Sequence, residues 1–139
     1  CDLAQAVARL HPARAIYFKM DEADLERILA HPLCMIGSDG LPGDSHPHPR
    51  LWGTFPRILG RYVRERGVID LTTAIHKMTG LTAKVFGLEG RGILAPGNQA
   101  DVVVFDPATV IDRADYENPV SLPAGIERVI IGGEVRVEN

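Results

Sequence analysis

An aspartate and an arginine eleven residues apart could do the most chemistry in this sequence. Asp39 lies in Met35-Ile36-Gly37-Ser38-Asp39-Gly40, just past a short apolar run, Leu33 to Ile36. A carboxylate placed there can take a proton from a reacting group and return it. Gly37 and Gly40 would let backbone and ligand come close. Arg50 ends His46-Pro47-His48-Pro49-Arg50, where a guanidinium on a loop can grip a carboxylate through two parallel hydrogen bonds. Each residue has a plainer reading: Asp39 as a turn former or helix N-cap, Arg50 as half of a surface ion pair. His46 and His48 could share a metal on one face of a strand. Each precedes a proline, however, which imposes an extended, irregular path and favours a rigid loop with exposed imidazoles.

The elements that must position these residues can be read from spacing. Leu3, Ala6, Val7 and Leu10 predict a helix with Asp2 as N-cap, ending near His11-Pro12. Ala15 to Phe18 reads as a buried strand, with Tyr17 packed in the core. Asp21 can cap a second helix with Leu25, Ile28 and Leu29 on one face, Met20 and Leu25 forming a hydrophobic staple, and an end before Pro32. Leu33 to Ile36 reads as a second strand. Alternating helices and strands suggest a parallel sheet covered by helices. Phe55, Ile58, Leu59, Tyr62 and Val63 predict a helix closed by Gly67. Asp70 can cap another, with Leu71, Ala74, Ile75 and Met78 inward and an end at Gly80. Thr82 to Phe86 reads as a short helical turn stopped by Gly87. The Lys and Arg residues on these helices read as solvated faces, and His76 as a surface residue. Beyond Gly87 the chain is rich in glycine turns and β-branched runs. Gly132-Gly133, between Ile126–Ile131 and Glu134–Val137, is a hairpin signal.

Composition sets limits. The 139 residues are 45% hydrophobic and 24% charged, as in a globular domain. A net charge of −3 and the lack of a basic cluster argue against a nucleic-acid surface, and no apolar run approaches a membrane span. Cys1 and Cys34 form no disulfide framework, which fits a reducing, cytoplasmic setting. The start at Cys1-Asp2-Leu3, with neither initiator Met nor signal pattern, reads as mid-protein.

Met35 to Pro42, then His46-Pro47-His48-Pro49-Arg50-Leu51-Trp52-Gly53-Thr54-Phe55-Pro56-Arg57, Lys77-Met78-Thr79-Gly80-Leu81-Thr82-Ala83 and Gly90-Arg91-Gly92 resemble the N-acyl-D-amino-acid deacylases. These are members of the metal-dependent amidohydrolase superfamily. Gly97 to Asp106 resembles a tail shared across that superfamily. The resemblance implies an α/β chain: residues 1–86 as the last units of a (β/α)₈ barrel, with Leu33–Ile36 its last strand, and 87–139 as part of a small β-sandwich. A whole barrel takes about 250 residues, so the chain would be the C-terminal portion of the enzyme, and the missing N-terminal part its partner. The implied activity is amide hydrolysis of a small N-acyl-D-amino acid by a metal-activated water. Asp39 would be the general acid/base, and zinc the cofactor, with ligands upstream of this chain. Arg50 would pair with the substrate carboxylate, Gly37 and Ser38 would lie at the substrate, and Tyr17 and Met20 would line a pocket suited to an apolar D-side chain. The alternatives are a ring-opening amidohydrolase of the hydantoinase or dihydroorotase kind, or a non-catalytic C-terminal module.

Overall fold

A computed structural model describes residues 2–11, 16, 18–41 and 43–139. Helix α1, Leu3–Leu10, starts where the Asp2 carboxylate accepts the Gln5 N–H at 2.8 Å. Its Leu3, Val7 and Leu10 are exposed, so its apolar face has no cover among the described residues. Helix α2, Glu22–Ala30, is capped by Asp21, which accepts the N–H groups of Ala23 and Asp24. Both caps are the ones the sequence predicts, and both satisfy amides that a helix start otherwise leaves free.

The strand expected at Leu33–Ile36 does not form. Cys34 N–H turns back to the His31 carbonyl at 3.0 Å, and Ile36 N–H reaches the Lys77 carbonyl at 3.3 Å. A strand needs a neighbouring strand for its hydrogen-bond ladder, and among the described residues no strand lies beside this segment. The segment still buries Ile36 in the core. Of the run expected to form the other strand, Ala15 and Tyr17 lie outside the described residues; Ile16 and Phe18 belong to no strand.

Helix α3, Arg50–Arg57, begins ahead of the predicted Phe55 and contains Pro56. It widens at once into a π-helix, Ile58–Glu65, in which Arg66 N–H donates five residues back to the Arg61 carbonyl at 2.9 Å. Pro56 has no N–H for the carbonyl four residues before it and crowds that carbonyl, so the regular ladder is already broken where the wide coil starts. Gly67, in the left-handed region at φ 61°, ends it. Helix α4, Leu71–Met78, is capped by Asp70, and α5, Gly80–Phe86, ends at Gly87. The tail forms an antiparallel sheet of β1, Val102–Phe105, β2, Ile126–Ile131, and β3, Glu134–Glu138, in the order β1-β2-β3. The β2–β3 hairpin turns on Gly132 and Gly133, both at positive φ as predicted.

The core draws on both sides of Gly87. Leu29, Ile36, Ile58, Leu59, Tyr62 and Ala74 pack with Val110, which is fully buried. The 110–111 chain approaches the π-helix at Gly60, where a methyl group would stand 2.6 Å from the Val110 carbonyl oxygen and would also collide with Ile111. Arg64 donates to that same oxygen at 2.6 Å. Gly60→Ala should therefore force the tail off the helices and destabilise the protein by about 1–3 kcal/mol. A urea midpoint equal to the parent's would show that this contact does not hold the two together.

Candidate active site

Asp39 and Arg50 meet. Arg50 Nη2 donates to Asp39 Oδ2, and Arg50 Nε donates to the Asp39 carbonyl at 3.4 Å. Their side chains are 71% and 51% exposed, so the pair contributes only about 0–1 kcal/mol and does not itself hold the site together. Packing does that. Gly40 lies against Leu51 so closely that a Cβ would stand 2.9 Å from the Leu51 Cβ, which presses the Asp39 loop onto the first turn of α3. Arg50 is the first residue of that helix rather than a loop residue.

The two histidines also have structural partners. His48 Nδ1 accepts the Arg50 N–H at 3.0 Å, supplying the cap that Pro49 cannot, and its Nε2 lies 3.5 Å from the Tyr116 hydroxyl. With Nδ1 accepting, the neutral ring carries its proton on Nε2. His46 Nε2 donates to the Tyr116 carbonyl at 2.9 Å. Tyr116 meets the His48 ring edge-on at 5.4 Å and Phe18 at 4.8 Å. The expected loop of exposed imidazoles is thus corrected: His46 is exposed, but His48 is half-buried and the loop is fastened to residue 116. Partial burial, then the Arg50 guanidinium, holds the His48 pKa below its ordinary 6.5 against the opposing pull of Asp39.

The remaining predicted residues are more scattered. Gly37 and Ser38 are exposed beside Asp39, with open space where a Gly37 side chain would be. Met20 is 76% exposed just ahead of the α2 cap, and Tyr17 lies outside the described residues. Among the described residues no three His, Cys, Asp or Glu side chains gather into a group that could hold a metal. Two residues near the site escaped the sequence reading. Tyr116 sits in a loop with no motif of its own. Lys77, read as a solvated helix residue, is 2% exposed; its spacing three residues after Ala74 was the signal that it faces inward.

The profile described as "Amidohydrolase family" matches residues 2–137. The sequence is 59% identical over 133 residues to an N-acyl-D-glutamate deacylase of Alcaligenes xylosoxydans xylosoxydans, covering 96% of this chain and 27% of that protein. It is 61% identical over 127 residues to a D-aminoacylase of the same organism, covering 91% of this chain and 26% of that protein. Among solved structures, the N-acyl-D-glutamate deacylase from Bordetella bronchiseptica, complexed with zinc and a phosphonate inhibitor that mimics the tetrahedral intermediate, superposes with a TM-score of 0.93 at 56% identity. That match covers 97% of this chain and 28% of that one. The chain thus spans about a quarter of the length of the relatives it matches.

The His48 environment is open to titration. A histidine whose pKa is lowered by folding gives its full share of stability above 6.5 and loses it as pH falls from there toward the folded value, because the unfolded chain takes up the proton first. NMR of the imidazole should show a midpoint below 6.5 and an Nε2-protonated neutral ring. A midpoint at or above 6.5 would contradict the half-buried placement of the ring beside Arg50.

Proposed function

The chain belongs to the amidohydrolase family, and on that premise we propose that the complete protein hydrolyses the amide bond of N-acyl-D-amino acids, with Asp39 as general acid/base and Arg50 as the substrate's carboxylate grip. The observation that carries this is the meeting of Asp39 and Arg50, which sets a proton acceptor beside a cation on one open surface. In an N-acyl amino acid the α-carboxylate carbon is two bonds from the amide nitrogen. A guanidinium holding that carboxylate therefore brings the scissile nitrogen next to Asp39. Water attacking the acyl carbon must lose a proton, and the departing amine must gain one; a single carboxylate can do both in turn. Arg50 has donors to spare, since five N–H bonds radiate from a guanidinium and its contacts with Asp39 involve only Nη2 and Nε.

The backbone at Gly37 and Ser38 would lie against the substrate, where the open space at Gly37 admits it. Met20, with Tyr17, would line the side-chain pocket and favour an apolar D-residue. Zinc is bound by the similar deacylase structure, but the described residues do not fit it: they form no ligand group, and His46 and His48 both bond within the chain. Its ligands would lie elsewhere in the complete protein. On the same reading, 1–86 are the last units of a barrel, 87–139 are strands of a sandwich domain, and the protein is cytoplasmic. No helix among the described residues is long and apolar enough to cross a membrane.

In the complete protein assayed with N-acetyl-D-amino acids, Asp39→Asn should lower kcat a hundredfold or more. Near-normal turnover would reject the role. Arg50→Ala should raise KM by about tenfold or more, the worth of a charge-assisted hydrogen bond, with a smaller change in kcat. An unchanged KM would remove the carboxylate contact. The 139 residues alone should bind no stoichiometric zinc and show no deacylase activity. Tight zinc found by metal analysis would promote His46 and His48 to ligands.

A further inference from the structure

Lys77 is the most buried charged side chain among the described residues, and nothing in the proposed chemistry uses it directly. Lysine is rarely buried without partners, because an ammonium taken out of water must be hydrogen-bonded. Here the partners are main-chain oxygens. Lys77 Nζ donates to the carbonyl of His31, the residue that ends α2, and to the carbonyl of Cys34 at 3.2 Å. A cation suits the carbonyl end of a helix. The Lys77 main chain grips the same segment further along, since its carbonyl accepts the Ile36 N–H at 3.3 Å and also the Thr82 hydroxyl at 2.9 Å. One residue of α4 thus holds residues 31, 34 and 36 in place.

The segment it holds has no ladder among the described residues, and it ends three residues later in Asp39. Downstream of Asp39 the loop is fastened by Gly40 against Leu51. Upstream it is fastened by the buried Ile36 side chain and by Lys77. Arg50, on α3, makes no bond to this anchor. We propose that Lys77 is a positioning residue for Asp39, its buried ammonium and backbone carbonyl setting where the 31–36 segment delivers the carboxylate. This rests on the reading of Asp39 as acid/base.

The test compares Lys77→Met, Lys77→Arg and Asp39→Asn in the complete protein, with circular dichroism giving the folded fraction. Lys77→Met keeps the stem and removes every donor. Its kcat per folded protein should fall at least tenfold with KM within twofold, because the carboxylate grip at Arg50 is anchored separately. Lys77→Arg, which keeps the charge and donors on a bulkier group, should recover part of that loss. A Lys77→Met enzyme within twofold of the parent overturns the proposal. So does a KM that rises in step with the fall in kcat, or a loss accounted for by unfolded protein alone. If Lys77→Met does not fold, Lys77→Arg decides: a lowered kcat at unchanged KM supports the proposal, and any other pattern, including failure to fold, overturns it. Asp39→Asn separates the two readings. Normal turnover there defeats the acid/base role itself, whereas an inactive Asp39→Asn beside a normal Lys77→Met defeats the Lys77 proposal alone.

Discussion

The passage of the 110–111 chain over Gly60 is the contact on which the rest of the arrangement depends. Val110 enters the core between α2, the π-helix and α4, and its carbonyl is taken by Arg64. That contact fastens a tail sheet, which has little core of its own, onto the helices. It also fixes where the chain goes next. Asp112 pairs with Arg57 at 3.0 Å with its carboxylate almost covered, and Ala114 is buried. Tyr116 then arrives between His46 and His48. The missing side chain at Gly60, in the π-helix, is what permits so close an approach.

The candidate site is assembled from segments whose own contacts are weak. The Asp39–Arg50 ion pair is open to water and would not survive as an organising force. What brings the two side chains together is a sum of buried or main-chain contacts: Gly40 on Leu51, the His48 ring on the Arg50 amide, and Lys77 beneath the segment that leads to Asp39. This division is what the proposed roles of Asp39 and Arg50 would need: groups that exchange partners with substrate and solvent left exposed, with the rigidity in the shell behind them.

The surfaces left uncovered are also informative. Among the described residues nothing covers the apolar face of α1 and no strand pairs with 33–36; the chain spans about a quarter of the length of its relatives. In that segment the Leu33, Cys34 and Ile36 N–H groups bond instead to His31 and Lys77, and α1 leaves its apolar face open. Both lie in the N-terminal half. The tail sheet, by contrast, pairs β1, β2 and β3 among themselves.

What the sequence determined by itself is local. Asp2, Asp21 and Asp70 cap their helices, Gly67 and Gly87 end theirs, and Gly132-Gly133 turns a hairpin, because each depends on hydrogen bonds or dihedral angles within a few residues. The motif around Asp39 and Arg50 was legible too, as residue types and spacing. Other features were decided by tertiary structure alone: that Asp39 and Arg50 touch, that His48 is spent on a helix start and on Tyr116 sixty-eight residues away, and that the Lys77 ammonium is taken up by the His31 and Cys34 carbonyls. So was the failure of Leu33–Ile36 to become a strand, since strand propensity is realised only when another strand supplies the ladder. These outcomes depend on which distant segments come to lie together, and no stretch of sequence carries the energy of a contact whose other half is elsewhere.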